Sequence, residues 1–137
     1  MANITDVKVV ADGYRNAVVR VSGILDTGNL TGTSLVTKAL FTQNDPLYKS
    51  FDGFRIDEIE FSVSGDGSAS VWWNATTPQL VGVFSSSNEQ CWEEEGGLIP
   101  DTTAAGFDGS LNINTHNWVA TIQSFTLTIK MIKLYTK

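Results

Sequence analysis

Residues 59–74 read Ile59-Glu60-Phe61-Ser62-Val63-Ser64-Gly65-Asp66-Gly67-Ser68-Ala69-Ser70-Val71-Trp72-Trp73-Asn74. On either side of Ser64-Gly65-Asp66-Gly67 the chain alternates. Ile59, Phe61 and Val63 are separated by Glu60 and Ser62, and Ala69, Val71 and Trp73 by Ser70 and Trp72. Successive side chains of a strand point to opposite faces, so each run has one face to bury. Gly and Asp accept the positive φ angles of tight hairpin turns, and the whole stretch therefore predicts a β-hairpin. The same phase rule assigns Trp73 to a core and Trp72 to an outer surface.

Outward from this hairpin the same grammar repeats. Turn signals stand at Asp12-Gly13, Gly28-Asn29, Asp52-Gly53, Gly96-Gly97 and Asp108-Gly109, with short runs rich in Val, Ile, Thr and aromatic residues between them. The predicted strands are Ile4–Val10, Ala17–Leu25, Ser34–Phe41, Phe54–Val63, Ser68–Asn74, Leu80–Ser85, Ser110–Asn114 and Thr121–Tyr135. No window holds a capped 3.6-residue apolar period, so any helix is a single turn. Two phase changes predict irregularities. Phe54 and Ile56 are out of step with Ile59 and Phe61, which asks for an extra residue around Asp57-Glu58. Phe125, Leu127, Ile129 and Met131 are out of step with Ile132 and Leu134, which asks for a bulge near Met131 or burial on both faces. Residues 86–109 break the rhythm and read as one long irregular loop.

Eight short strands in 137 residues predict an all-β protein, a single antiparallel β-sandwich spanning 1–137. A jelly roll is the expected topology, with an immunoglobulin-like Greek key as the alternative. The 14.9 kDa chain suits one core. A single cysteine excludes an intramolecular disulfide, and with a single histidine leaves no ligand set for a usual structural zinc site. The N-terminus lacks a signal-peptide pattern, and no apolar run reaches the roughly 18 residues of a membrane span. The glycosylation-type triplets at Asn3, Asn29 and Asn74 read as chance in a Thr-rich chain.

A net charge of −6 and a pI near 4.5 argue against nucleic acid as main partner. The charge is unevenly spread: residues 1–49 balance at +1, residues 50–108 at −10, and residues 109–137 at +3. An acidic solvated face and an interaction role both fit this pattern.

Candidate chemistry is sparse. A catalytic Cys91 would need a partner to lower its pKa, and only His116 is on offer. Glu93, Glu94 and Glu95 could supply hard oxygen ligands or part of a carboxylate pair. As neighbours on a strand they would point to alternate faces, and so form no compact ligand set. The reading therefore assigns no catalytic residue, no metal ligand and no cofactor. Four tryptophans, Trp72, Trp73, Trp92 and Trp118, are many for this length, and exposed Trp favours carbohydrate sites and protein interfaces. Trp72, Trp92, Glu93, Glu94 and Glu95 are the candidate partner-interface residues.

An ordered set of segments carries a resemblance. It runs through Ala11-Asp12-Gly13-Tyr14-Arg15-Asn16-Ala17-Val18-Val19, Gly23-Ile24-Leu25-Asp26-Thr27 and Phe54-Arg55-Ile56-Asp57-Glu58-Ile59. It continues in Val71-Trp72-Trp73-Asn74-Ala75-Thr76-Thr77-Pro78, Gly96-Gly97-Leu98 and Gly109-Ser110-Leu111-Asn112-Ile113-Asn114-Thr115, and closes with Ser124-Phe125-Thr126-Leu127-Thr128-Ile129. The set resembles the small capsid decoration, or cement, proteins of tailed bacteriophages. The resemblance implies a β-sandwich without catalytic residues, commonly trimeric, made in the host cytoplasm and seated on the outer surface of the virion head. Its implied partners are the major capsid protein and further copies of itself, with neither nucleic acid nor a membrane among them. The alternative is another virion part, such as a fibre piece or a glycan- or receptor-binding module.

Far-UV circular dichroism checks the fold class. The spectrum should show under roughly a fifth helix, against about a third in an average soluble protein.

Overall fold

β-Branched and aromatic runs between turn residues give nine strands among the described residues of this computed structural model, which are 3–13, 15–25, 29, 33–41, 50–64, 67–116 and 123–136. They are β1 (Ile4–Asp12), β2 (Asn16–Leu25), β3 (Thr33–Val36), β4 (Ser50–Val63), β5 (Ser68–Trp73), β6 (Gln79–Ser85), β7 (Ser87–Cys91), β8 (Leu111–His116) and β9 (Gln123–Thr136). The only helical elements among them are single 3₁₀ turns at Lys38–Leu40 and Glu93–Glu95. All strand pairings are antiparallel. One sheet has five strands in the order β1-β2-β9-β4-β7, the other four in the order β3-β8-β5-β6. The protein is an all-β sandwich of two antiparallel sheets.

The inner faces follow the period-2 rule. Phe125, Leu127, Ile129 and Met131 of β9 are buried beside Ala17, Val19, Val21 and Leu25 of β2. Gly23 keeps this phase because it must: a Cβ there would lie 2.4 Å from the Phe125 ring. From the other sheet come Ala69, Val71 and Trp73 of β5 and Leu111 and Ile113 of β8. The two inner faces form one core cluster, and specific contacts cross it. The Phe61 and Phe84 rings stand 5.0 Å apart, and the Trp73 indole Nε1 donates to the Phe54 carbonyl at 3.3 Å. Burying each Leu- or Phe-sized side chain is worth about 1.5–3 kcal/mol.

The phase change in β4 has the expected cause. Its register against β9 shifts between Ile56 and Glu58, so Asp57 is an extra residue, and Phe54, Ile56, Ile59 and Phe61 all reach the core. β9 differs from expectation. Its pairing with β2 runs unbroken from Gln123 to Ile132, and the buried phase continues from Met131 to Lys133. The bulge lies across the ladder, on β4 opposite Met131 and Lys130, while Ile132 and Leu134 are half-buried.

Residues 86–109 also differ from a single loop. Ser86, with φ of 61°, turns the chain from β6 into β7, which pairs with β4 at the sheet edge. Every residue of β7 is exposed, so no alternation marked it as a strand. The strand predicted to Phe41 stops at Val36, where the 3₁₀ turn begins after Thr37. Gly28, Gly65-Asp66, Tyr14, Thr121 and Trp118 lie outside the described residues.

Lys133 enters a largely apolar interior with partners in place. Its ammonium donates to the Asp12 carboxylate and, at 2.7 Å, to the Gly13 carbonyl, and sits 5.8 Å from the Phe41 ring centroid. The backbone N–H of Lys133 donates to the Arg15 carbonyl at 2.6 Å. The last strand thereby holds the turn of the first hairpin. Removing one partner of a buried pair strands a charge, whereas an apolar isostere of the buried partner relieves its desolvation. Asp12→Ala should therefore cost about 3–5 kcal/mol in denaturant unfolding. Lys133→Met should cost less, because the Asp12 side chain, 23% exposed, can hydrate. Equal losses would show that the pair contributes no more than its packing.

Candidate docking faces

Cross-strand partners share a sheet face, so the ladder register assembles each outer surface row by row. On the four-stranded sheet the rows are Leu80–Trp72–Asn112, Val83–Ser70–Asn114 and Ser85–Ser68–His116. These nine positions hold no Asp, Glu, Lys or Arg. Leu80 and Val83 are 49% and 59% exposed. Val83 is outward in the regular register opposite Ser70, and the extra residue Val81, between the partners of Trp72 and Val71, turns Leu80 to the same side.

The polar atoms of this face are largely committed to one another. Trp72 Nε1 donates to Ser70 Oγ at 2.8 Å, and Ser70 Oγ lies 3.0 Å from His116 Nε2. Indole and imidazole together cover Ser70, which is fully buried. Asn112 Nδ2 donates to Asn74 Oδ1 at 3.0 Å, and Asn74 Nδ2 to Asp108 at 2.9 Å. Burial by itself raises the Asp108 pKa, but hydrogen bonds from Ser110 and Asn74 outweigh it and hold the group below its usual value. An amide that donates and accepts in this way is part of the fold. The Asn74 triplet is thus structural in its contacts.

The outer face of the five-stranded sheet has the opposite character. One row across all five strands reads Lys8–Arg20–Thr128–Glu60–Glu89. Beside it run Asp6–Ser22–Thr126–Ser62–Ser87, mostly hydroxyls, and Val18–Lys130–Glu58–Cys91. Ser22 and Thr126 hydroxyls approach to 3.4 Å, and Ser87 Oγ donates to Ser62 Oγ at 3.1 Å. A groove of about 630 Å³ opens here between Glu60, Ser62, Ser87, Glu89, Thr126 and Thr128. The carboxylates of Glu58, Glu60 and Glu89 gather within 4.8 Å of one another. Lys130 stands 2.8 Å from Glu58 and 3.5 Å from Glu60.

The remaining candidates lie at the end of β7. Trp92 is half-buried against the core, and its carbonyl accepts from Glu95 N and Gly97 N at 3.1 and 2.8 Å. Glu93, Glu94 and Glu95 are exposed on their 3₁₀ turn, after which the chain returns to bridge Leu98 with Ile56. Gly97 makes the return possible: its φ is 81°, and a Cβ would strike Asp57 and Arg55. The Arg55 guanidinium is held charged by Asp57, with Glu93 adding to the effect. Trp72 therefore belongs to one sheet's outer face, and Trp92 with its three glutamates to the edge of the other. Cys91 and His116 are on different sheets, so the geometry does not assemble a Cys–His pair. The charge row was missed in the sequence because its members span residues 8 to 128 and meet only through register.

The hydrogen bond from Lys130 is the main reason that Glu58 titrates below its ordinary 4.5. A carboxylate with a lowered folded-state pKa adds stability above the unfolded value and loses it as pH falls through the folded one. Lys130→Gln should cost about 0.2–1 kcal/mol at pH 7, as for other surface pairs. Thermal melts should show that difference closing on acidification below 4.5. A difference that persists in acid would trace to packing of the lysine stem instead. Compared with known proteins, the chain matches no protein-family model, no curated protein and no solved structure.

Proposed function

We propose that the chain is a capsid decoration protein, docking on the outer shell of a bacteriophage head through the outer face of its four-stranded sheet. The observation that carries this reading is a face that can lose water cheaply. Desolvating an unpaired polar group costs roughly 1–3 kcal/mol in proteins. Here Trp72, Ser70, His116, Asn74, Asn112 and Asp108 already have hydrogen-bond partners. Leu80 and Val83 stand above them as apolar anchors. The resemblance to decoration proteins supplies the partner, the major capsid protein, and the expectation of trimers on the particle. The five-stranded sheet, with its charged rows, points away from the shell in this arrangement.

A glycan-binding role uses the same tryptophan differently. A sugar needs polar side chains that are free to hydrogen-bond its hydroxyls, and on this face the indole N–H and the Asn74 amide are already engaged. A surface with its indole and amide already engaged and Leu80 and Val83 exposed favours a protein partner.

Sedimentation with undecorated heads tests the reading. The protein should pellet with the heads, while Leu80→Asp and Val83→Asp, folded by circular dichroism, should stay largely in the supernatant. An unchanged pelleted fraction for both variants would remove this face from the docking role. Failure of the unmodified protein to pellet, together with binding on a glycan array, would replace the assembly role with the glycan reading.

A further inference from the structure

The row Lys8–Arg20–Thr128–Glu60–Glu89 has an order that isolated sheets avoid. Lys8 is directly opposite Arg20, and Glu60 directly opposite Glu89. Like charges facing across a ladder destabilise it. Lys130 offsets the acidic half through Glu58 and Glu60, at 2.8 and 3.5 Å. Lys8 and Arg20 have no ion-pair partner among the described residues. Both halves of the face therefore carry charge that the single chain leaves uncompensated.

The sequence of charges along the row is two positive, one neutral and two negative, centred on β9. A two-fold axis parallel to β9 sets β1 of one copy against β7 of the other, and β2 against β4. Lys8 then meets Glu89 and Arg20 meets Glu60, twice over, because the contact is isologous. We propose that the outer face of the five-stranded sheet recognises a second copy of this chain about that axis.

Three further features fit this occupant. The groove of about 630 Å³ beside Glu60 and Glu89 gives the partner's long Arg20 and Lys8 side chains a place to lie, with Ser62, Ser87, Thr126 and Thr128 as hydroxyl acceptors. Lys130, which would face its own mate near the axis, is already neutralised by Glu58. Edge-to-edge growth at β7 is obstructed, since the Glu89 backbone N–H is taken by Asn88 Oδ1 at 2.9 Å. Strand spacing and rise give such a face about 550 Å² per copy, or about 1,100 Å² in total, at the lower end of specific interfaces. A small, charge-built contact of this kind is reversible and salt-sensitive.

A charge-swap experiment on the free protein tests it. Analytical ultracentrifugation at low ionic strength should show a concentration-dependent monomer–dimer equilibrium that shifts to monomer at about 0.5 M salt, where screening shortens to a few ångströms. Arg20→Glu alone and Glu60→Arg alone should each be monomeric under conditions where the unmodified chain dimerises. Mixing the two variants should restore the dimer, because each of the four facing pairs across the axis is then again of opposite sign. A monomeric unmodified chain at all concentrations, or a mixture no more associated than its parts, would overturn the proposal. No heads enter this measurement, so its outcome is separate from that of the docking role.

Discussion

The pairing of β4 with β9 is the contact on which the rest of the sandwich hangs. Each strand is fourteen residues long, and the five-stranded sheet is built outward from them: β2 and β1 on one side, β7 on the other. A pair this long cannot twist freely and still keep one face buried from end to end. The extra residue at Asp57 resolves the conflict by resetting the phase of β4, so that Phe54 and Ile56 before it and Ile59 and Phe61 after it all turn inward. The displaced Asp57 is 8% exposed and is neutralised by the Arg55 guanidinium, whose Nε lies 2.9 Å away. Its carbonyl accepts from Trp92, so one bulge also fixes where β7 ends and the glutamate turn begins.

Much of this was legible in the residues themselves. Alternation in β5 separated Trp73, 4% exposed, from the outward Trp72, and the mismatch between Ile56 and Ile59 located the bulge in β4. These signals share a cause: a strand with one buried side leaves an apolar period in its sequence. β7 left none, since neither of its sides is buried. Lys133 misled in the opposite way. A charged residue in an inward position looks like a phase change until its partner, Asp12, is brought to it from 121 residues away. The functional surfaces were less legible still, because they are properties of rows. Whether Lys8 lies beside Arg20, or Glu60 beside Glu89, depends on register, and register is set by packing of the opposite face.

The two outer faces also divide the chemistry of the chain. Desolvation is inexpensive on one, where Trp72, Ser70 and His116 satisfy each other. It is costly on the other, where bare carboxylates and cations hold water unless an opposite charge replaces it. A single small domain can in this way offer two surfaces that respond to different conditions, the first to apolar contact and the second to ionic strength.

The strand order has a consequence for biosynthesis. β9 lies between β2 and β4, yet it is made after both. Until the ribosome has released the chain through residue 136, β2 and β4 have no common neighbour, and the apolar sides meant for Leu127 and Ile129 are open. A nascent chain in that state presents unpaired strand edges, which is the condition in which β proteins associate wrongly. Closure of the five-stranded sheet therefore waits for β9, and its pace is set by long-range pairing rather than by any local hairpin.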